Sequence, residues 1–268
     1  MAVLGLPQPY SFALSTERFR AFGPDLANLW DDGVLHRVLD GREVRIAAAP
    51  GGVEVEPLDD AIRPRVERLL GVSFDLDAFR AFAAADSVLA PVELRLRGFR
   101  PPLVPDPWEA LVTSITAQQV SLFSAFAIRN RLIERFGVRH EDAFAFPTRE
   151  RLAAATEAEV VAVGFSRRKA EYVVGLARGD LDLDALAVLA DDEVIARITA
   201  ERGLGEWSAE WFLARHLGRP HAWPAGDLGV RKAVEHFLGD ADARAAGARF
   251  HPFQNLSAHY LLLGLRVP

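Results

Sequence analysis

The tripeptide Gly203-Leu204-Gly205 lies between two stretches of helical periodicity and has the residue types of a tight turn. Two glycines allow a bend that larger side chains would obstruct, and Leu204 between them can pack inward. Because a helix starts directly after Gly205, its unpaired backbone N–H groups and the positive end of its dipole face outward. Such a surface binds a phosphate group without a basic side chain. The alternative is an ordinary turn between helices, closed by a glycine cap.

Three further segments stand in a fixed order around this turn. They are ITAQQVS at 115–121, GFSRRKAEY at 164–172 and PAGDLGVRK at 224–232. Together with GLGEWSAEW at 203–211, they resemble the helix-hairpin-helix DNA glycosylases that carry a downstream aspartate, in particular the AlkA-type 3-methyladenine DNA glycosylases (glycosylase II). The resemblance covers about 106–260 strongly and the first 98 residues more weakly. It implies hydrolysis of the N-glycosidic bond of a damaged base that is flipped out of the duplex.

The resemblance implies that Asp227 is the catalytic carboxylate. Cleavage of a glycosidic bond leaves a sugar with oxocarbenium character, and a nearby carboxylate stabilises that charge and orients or deprotonates the attacking water. Asp227 also precedes a helix that begins at about Leu228, where the helix dipole favours a negative charge. The alternative is that Asp227 is only an N-cap, which would contribute about 1 kcal/mol to stability. The two roles are compatible.

The residue type at position 207 distinguishes two reaction types in this superfamily. Relatives that also cut the DNA strand carry a lysine after the hairpin, whereas this chain has Trp207. Its two lysines, Lys169 and Lys232, do not match that position. We therefore expect a monofunctional enzyme that uses water as the nucleophile and forms no Schiff base.

Trp207 and Trp211 are one helical turn apart and are predicted to line a base pocket, together with Leu228 and Phe165. Electron-rich rings stack on a flipped base and favour one that carries positive charge, as 3-methyladenine and 7-methylguanine do. The alternative for the aromatic residues is that they fill the core. Leu228 stands where some relatives place an aromatic residue, which loosens the inference about the base.

The turn that contains Gln118, Gln119 and Ser121 is implied by the resemblance to enter the minor groove. Gln119 occupies the place of an apolar wedge in a well-known family member, and a glutamine could fill the gap and hydrogen-bond the orphaned base. The alternative is a polar residue at a helix start. Three more candidates for DNA contact form the densest basic run of the chain, which could equally be a solvated helix start: Arg167, Arg168 and Lys169.

A monovalent cation, Na⁺ or K⁺, is a further expectation that comes from the resemblance alone. The hairpin carbonyls near Arg202 and Leu204 are its candidate ligands. Arg202 is itself a departure, because a proline is common at that position. No other metal and no organic cofactor is expected.

The elements that must position these residues fall into two parts, and the predicted fold class is α+β. Residues 1–98 are predicted to form an antiparallel-sheet domain, and residues 99–268 a helical region of two subdomains, with Arg100-Pro101-Pro102 at the boundary. Strands are expected at 10–14 and 92–96 and a hairpin at 43–56. Helices are expected at these ranges: 24–30, 58–85, 106–117, 121–136, 156–164, 166–179, 192–202, 206–217, 228–238 and 254–265.

Composition excludes several other classes of protein. The chain has 268 residues and no cysteine, so disulfides, zinc–thiolate sites and cysteine nucleophiles are ruled out. The net charge of −6 argues against a uniformly basic DNA-binding surface, but only the face presented to DNA matters. We expect a monomeric cytoplasmic, nucleoid-associated protein with no membrane span, which acts on double-stranded DNA with damaged bases. The alternatives are a glycosylase for an oxidised or deaminated base, a non-catalytic DNA-binding module, and a small-molecule enzyme.

Overall fold

The structure, a computed structural model, describes residues 2–267. These residues contain a five-stranded antiparallel sheet and fourteen α-helices. The sheet has the order β1-β5-β4-β3-β2, and a separate two-stranded hairpin is formed by β6 and β7. The strands are β1 (Ala2–Gly5), β2 (Leu29–Asp31), β3 (Val34–Leu39), β4 (Arg42–Ala49), β5 (Gly52–Glu56), β6 (Val138–His140) and β7 (Ala143–Ala145).

The helices begin within the N-terminal part and then follow one another to the end of the chain. They are α1 (Phe12–Ser15), α2 (Ile62–Leu69), α3 (Leu76–Ala84), α4 (Leu89–Arg95), α5 (Pro107–Ala117), α6 (Leu122–Phe136), α7 (Arg149–Ala153), α8 (Glu157–Ala162), α9 (Arg167–Arg178), α10 (Asp191–Ala200), α11 (Glu206–Phe212), α12 (Leu228–Leu238), α13 (Ala243–Ala246) and α14 (Gln254–Gly264). A π-helical turn, Leu213–Leu217, continues α11. None of the helices within residues 2–267 is long and apolar enough to cross a bilayer.

The α+β fold class is confirmed, and so is the hairpin at 43–56, where Ala49 pairs with Gly52 across the turn. Helices in the C-terminal part begin at the predicted caps. Asp106 accepts from Trp108 N at 2.7 Å, and Thr156 and Glu159 form the predicted capping box. Local cap chemistry therefore determined these boundaries.

Two predicted strands are helices, so both predictions were wrong. Residues 12–15 form α1, capped by Ser11, and residues 89–95 form α4. The alternation of apolar and polar residues at 92–96 does not distinguish a strand from a helix, because five residues span less than two helical turns. Leu89, Val92 and Leu96 are buried at helical spacing, whereas Leu94 is 68% exposed.

The helix predicted at 24–30 is also absent, and the one at 58–85 is two helices, α2 and α3. Asp25 accepts from Ala27 N and from the Asn28 side chain, which closes a turn, and Leu29 then pairs with His36 in the sheet. A short polar side chain bonded to its own backbone competes with helix formation in this way.

The hairpin of β6 and β7 has no counterpart in the predicted elements, because three-residue strands carry almost no pattern. Its turn packs against the sheet through Glu43, which accepts from Asp142 N and Ala143 N at 2.8 and 3.0 Å. His36 contacts the other oxygen of Glu43 at 2.7 Å. Both carboxylate oxygens of Glu43 are therefore in use, and the cluster joins the sheet to the helical part.

The division between residues 98 and 99 stays a prediction, and one hydrophobic cluster crosses it. Helix α4 packs on α3 and α14, and α14 packs on α12; the shared cluster includes Phe79, Leu89, Ala233 and Tyr260. A second cluster lies inside the sheet and α2, and a third lies among α5 to α11. The cluster among α5 to α11 and the cluster shared with α12 and α14 support the helices that flank the hairpin and Asp227.

Candidate active site

Asp227 is the N-cap of α12. Its Oδ1 accepts from Gly229 N at 2.8 Å and from Val230 N at 3.1 Å, and the residue is half-buried. The capping geometry anticipated from the sequence is therefore present. It uses only one of the two carboxylate oxygens.

The second oxygen of Asp227 is held by the two tryptophans of α11. Trp207 Nε1 donates to Asp227 Oδ2 at 3.0 Å, and Trp211 Nε1 donates to the same oxygen at 2.9 Å. The four-residue spacing brings both indoles to one face of the helix. Four donors thus fix the carboxylate in one orientation, as a preorganised catalytic charge requires.

The tryptophans were predicted to stack on a base through their ring faces. The structure shows a contact that was not predicted, in which their N–H groups donate to Asp227. Trp211 also carries a guanidinium on its ring, since Arg215 Cζ lies 4.3 Å from the ring centroid. One face of Trp211 is therefore covered by a cation. Stacking on a base stays a prediction for both residues.

The other two predicted base-pocket residues, Leu228 and Phe165, differ in solvent exposure. Leu228 is 60% exposed beside Asp227, so it is available to a ligand. Phe165 is 3% exposed and belongs to the core cluster among α5 to α11. Its ring packs inside the protein and does not line an open surface.

The hairpin between α10 and α11 has the expected form. Gly203 has φ +90°, Leu204 is 5% exposed, and the exposed Gly205 is the N-cap of α11. A Cβ on Gly203 would overlap the Tyr172 ring of α9. The first N–H groups of α11 therefore start at an exposed residue, where a phosphate oxygen can reach them.

Gly203→Ala should destabilise the hairpin and weaken DNA binding, because alanine is strained at this φ and its methyl group meets the Tyr172 ring. We expect a loss of about 1–3 kcal/mol in the free energy of unfolding. Chemical denaturation and fluorescence anisotropy with a DNA duplex measure the two effects. Gly205→Ala is the matched control for stability, since a Cβ there meets nothing within 4 Å; equal losses of stability in both variants would contradict the prediction.

Hydrogen bonds join the predicted DNA-binding segments to one another. Gln118 Nε2 donates to Gly203 O at 2.8 Å, so this side chain ties the α5–α6 turn to the hairpin. Lys169 Nζ donates to Thr116 O at 2.9 Å, at the end of α5. Partial burial lowers the pKa of Lys169. Gln118 and Lys169 therefore connect the elements of this surface.

Gln119, Ser121, Arg167 and Arg168 are all exposed. Gln119 has φ +54°, a conformation that is uncommon for a non-glycine residue and that marks a functional position in many proteins. Ser121 caps α6. Neither arginine has an ion-pair partner within residues 2–267, whereas Arg202 pairs with Glu171. The wedge and phosphate-contact roles stay predictions.

Three features of this region gave no signal in the sequence. Apolar side chains flank Gln119, with Phe123 63% exposed and Leu122 48% exposed. Glu210, between the two tryptophans, is 8% exposed and lies 3.6 Å from Arg244. Burial raises the pKa of Glu210 to about 7. The third feature is the contact of the Arg215 guanidinium with the Trp211 ring. All three features depend on tertiary contacts, which hydrophobic periodicity does not encode.

Comparisons with known proteins agree with this arrangement. Residues 112–249 match the family described as "HhH-GPD superfamily base excision DNA repair protein". The chain is 28% identical over 191 residues to a DNA-3-methyladenine glycosylase of Bacillus subtilis, covering 67% of this chain and 63% of that protein. It is 31% identical over 254 residues to the "Probable bifunctional transcriptional activator/DNA repair enzyme AlkA" of Mycobacterium tuberculosis, covering 85% of this chain and 50% of that one.

A solved structure gives the same result for the fold. The 3-methyladenine DNA glycosylase from Archaeoglobus fulgidus superimposes with a TM-score of 0.89 at 29% identity, over 99% of this chain and 98% of that chain. The family match covers the α5–α6 turn, the hairpin and Asp227 together. The chain therefore belongs to the helix-hairpin-helix superfamily of base excision DNA repair proteins.

Proposed function

We propose that the chain is a monofunctional DNA glycosylase that excises alkylated purines, of the 3-methyladenine and 7-methylguanine type, in base excision repair. It acts as a monomer on double-stranded DNA that contains damaged bases, in the cytoplasm and at the nucleoid. The names of its relatives from B. subtilis and A. fulgidus support the substrate class. The matched regions span 63% and 50% of the two curated relatives' lengths.

The observation that carries the proposal is the fixed carboxylate of Asp227. Two backbone N–H groups and two indole N–H groups hold it at the start of α12. As the C1′–N bond of a flipped nucleotide breaks, the electron pair goes to the base and positive charge develops on the sugar. The carboxylate stabilises that charge and takes a proton from the water that adds to C1′. A cationic alkylpurine then leaves as a neutral base.

The surrounding elements serve binding in this proposal. The first N–H groups of α11 contact a phosphate, and Gln119 enters the space left by the flipped nucleotide. A Na⁺ or K⁺ ion bound by the carbonyls of Arg202 and Leu204 would add positive charge beside that phosphate, and carbonyl oxygens are suitable ligands for such ions. The carbonyl of Gly203 is committed to Gln118, so these two flanking carbonyls are the ones to test.

The decisive experiment is incubation of the protein with methylated duplex DNA, followed by mass spectrometry of the released bases. We expect free 3-methyladenine and 7-methylguanine, with strands cut only after alkali. Because position 207 is tryptophan, borohydride should trap no covalent protein–DNA adduct. Release of no alkylated base would overturn the proposal, and a trapped adduct would overturn its monofunctional part.

A further inference from the structure

Arg215 places a positive charge next to the candidate catalytic carboxylate without forming an ion pair. It belongs to the π-helical turn after α11, and its guanidinium lies 4.3 Å from the centroid of the Trp211 ring. Trp211 in turn donates to Asp227 Oδ2 at 2.9 Å. Among the described residues 2–267, no carboxylate lies within ion-pair distance of the Arg215 side chain. Its charge is therefore available to a ligand.

Arg18 is a second arginine of this kind. It lies on the 3₁₀ turn Glu17–Phe19 and lines a small cavity together with Val104 and Phe126. Val104 N donates to the backbone oxygen of Arg215 at 2.8 Å, so the two arginines flank the same segment. In the part of the chain that the structure describes, no carboxylate lies within ion-pair distance of Arg18, although Asp25 lines the same cavity. The neighbouring Arg266, in contrast, pairs with Glu17 at 2.7 Å.

Neither arginine has an ion-pair partner among residues 2–267, although Asp25 and Glu17 partly offset the charge of Arg18 and Asp227 partly offsets that of Arg215. Burial, and then the charge of Arg266, lower the pKa of Arg18 to about 10. Burial, followed by the charges of Arg18 and Arg266, lowers the pKa of Arg215 well below its ordinary value. His259, whose Nε2 is buried without a hydrogen-bond partner in the described chain, faces the same arginines. Unpaired charges of this kind are costly, and a ligand that carries negative charge or a lone pair relieves that cost.

We propose that Arg215, supported by Arg18, is a specificity-determining residue that extends base release from cationic alkylpurines to uncharged alkylated bases. The inference rests on the proposed glycosylase function. When the C1′–N bond of an uncharged base breaks, the electron pair makes the departing base an anion, and the guanidinium of Arg215 stabilises it. The proton that the attacking water releases through Asp227 then neutralises that base. A cationic base leaves as a neutral molecule, gains nothing from the guanidinium, and is repelled by it before the reaction.

The test compares two bases of different charge in single-turnover assays with Arg215→Met. The probes are duplexes that contain 7-methylguanine, which is cationic, or ethenoadenine, which is uncharged. We expect the rate on ethenoadenine to fall at least about tenfold relative to the rate on 7-methylguanine, which should stay level or rise. Arg18→Met should shift the ratio in the same direction by less. Arg63→Met, on the exposed side of α2, is the matched control and should leave the ratio unchanged.

Arg215→Lys provides a second variant in case the methionine variant folds poorly. It keeps the charge, so its ratio should lie between those of the wild type and Arg215→Met. Equal loss of both activities in every variant would overturn the inference and assign Arg215 a packing role, as would a wild type that releases no ethenoadenine. If the wild type releases neither base, the proposed function itself fails. If it releases both with an unchanged ratio in the variants, only this inference fails.

Discussion

Asp227→Asn lowers the rate of base release by about a thousandfold and leaves binding to damaged duplex DNA largely intact. The magnitude is that expected when a preorganised charge is removed from a transition state. The amide cannot stabilise a positive sugar as a carboxylate does, and it cannot take a proton from water. The substitution therefore acts on the chemical step and spares the hairpin that contacts DNA.

The hydrogen bonds at this residue give a second reason for a large effect. An asparagine oxygen can still accept from Gly229 N and Val230 N, but its NH₂ group then faces the indole N–H groups of Trp207 and Trp211. Donors would meet donors, and two indoles would lose their partner. We expect a loss of about 1–3 kcal/mol in the free energy of unfolding in addition to the loss of activity.

Single-turnover release of 7-methylguanine and anisotropy with a lesion duplex measure the two activities separately. Asp75→Asn is the matched control, because Asp75 is an exposed N-cap of α3 that accepts from Ala78 N at 3.0 Å. It should change neither activity. Undiminished base release by Asp227→Asn would show that the carboxylate is not catalytic. Loss of DNA binding in that variant would show that Asp227 serves the interface instead.

Local chemistry made the helical half predictable. The hairpin glycines, the N-cap of α12 and the one-turn spacing of Trp207 and Trp211 are each determined within a few residues. Those are the parts where the predicted and observed elements agree. The position of Gln119 at a turn followed in the same way, although its left-handed backbone did not.

The contacts that define the site could not be predicted, because they join residues far apart in the sequence. Periodicity puts Trp207 and Trp211 on one face of α11 but does not say that their N–H groups meet Asp227. It also does not show that Arg215 covers Trp211. These contacts change the interpretation of the site, since a ring with a guanidinium on one face offers less to a cationic base than a free ring does.

A buried ionic cluster is the largest feature that the sequence did not reveal, and it joins the sheet to the helices beside the site. Glu109 of α5 pairs with Arg37 of β3 and with Arg129 of α6, the latter at 2.6 Å. Arg129 also pairs with Asp25. The side chains of Glu109, Arg37 and Arg129 are at most 5% exposed. Helices α5 and α6 carry the Gln118–Ser121 turn, so this cluster fixes that turn relative to the sheet.

Glu109→Gln lowers the free energy of unfolding by about 3–5 kcal/mol, because it leaves two buried guanidinium groups with too little negative charge. Burial raises the pKa of Glu109, but Arg37 and Arg129 outweigh burial, and its pKa lies below the usual value. A depressed carboxyl pKa stabilises the folded state above the pKa of the unfolded chain, and that contribution is lost as the pH falls through the folded pKa. The variant should therefore lose less stability on acidification than the wild type does.

Chemical denaturation at neutral and acidic pH measures both parts of this prediction. Glu141→Gln removes the same charge from a pair with Arg45 in which both side chains are exposed, and it should cost less than about 1 kcal/mol. A similar small loss in Glu109→Gln would show that the cluster contributes little net stability. A large loss that does not depend on pH would show that packing at this position, and not the charge of Glu109, holds the α5–α6 turn against the sheet.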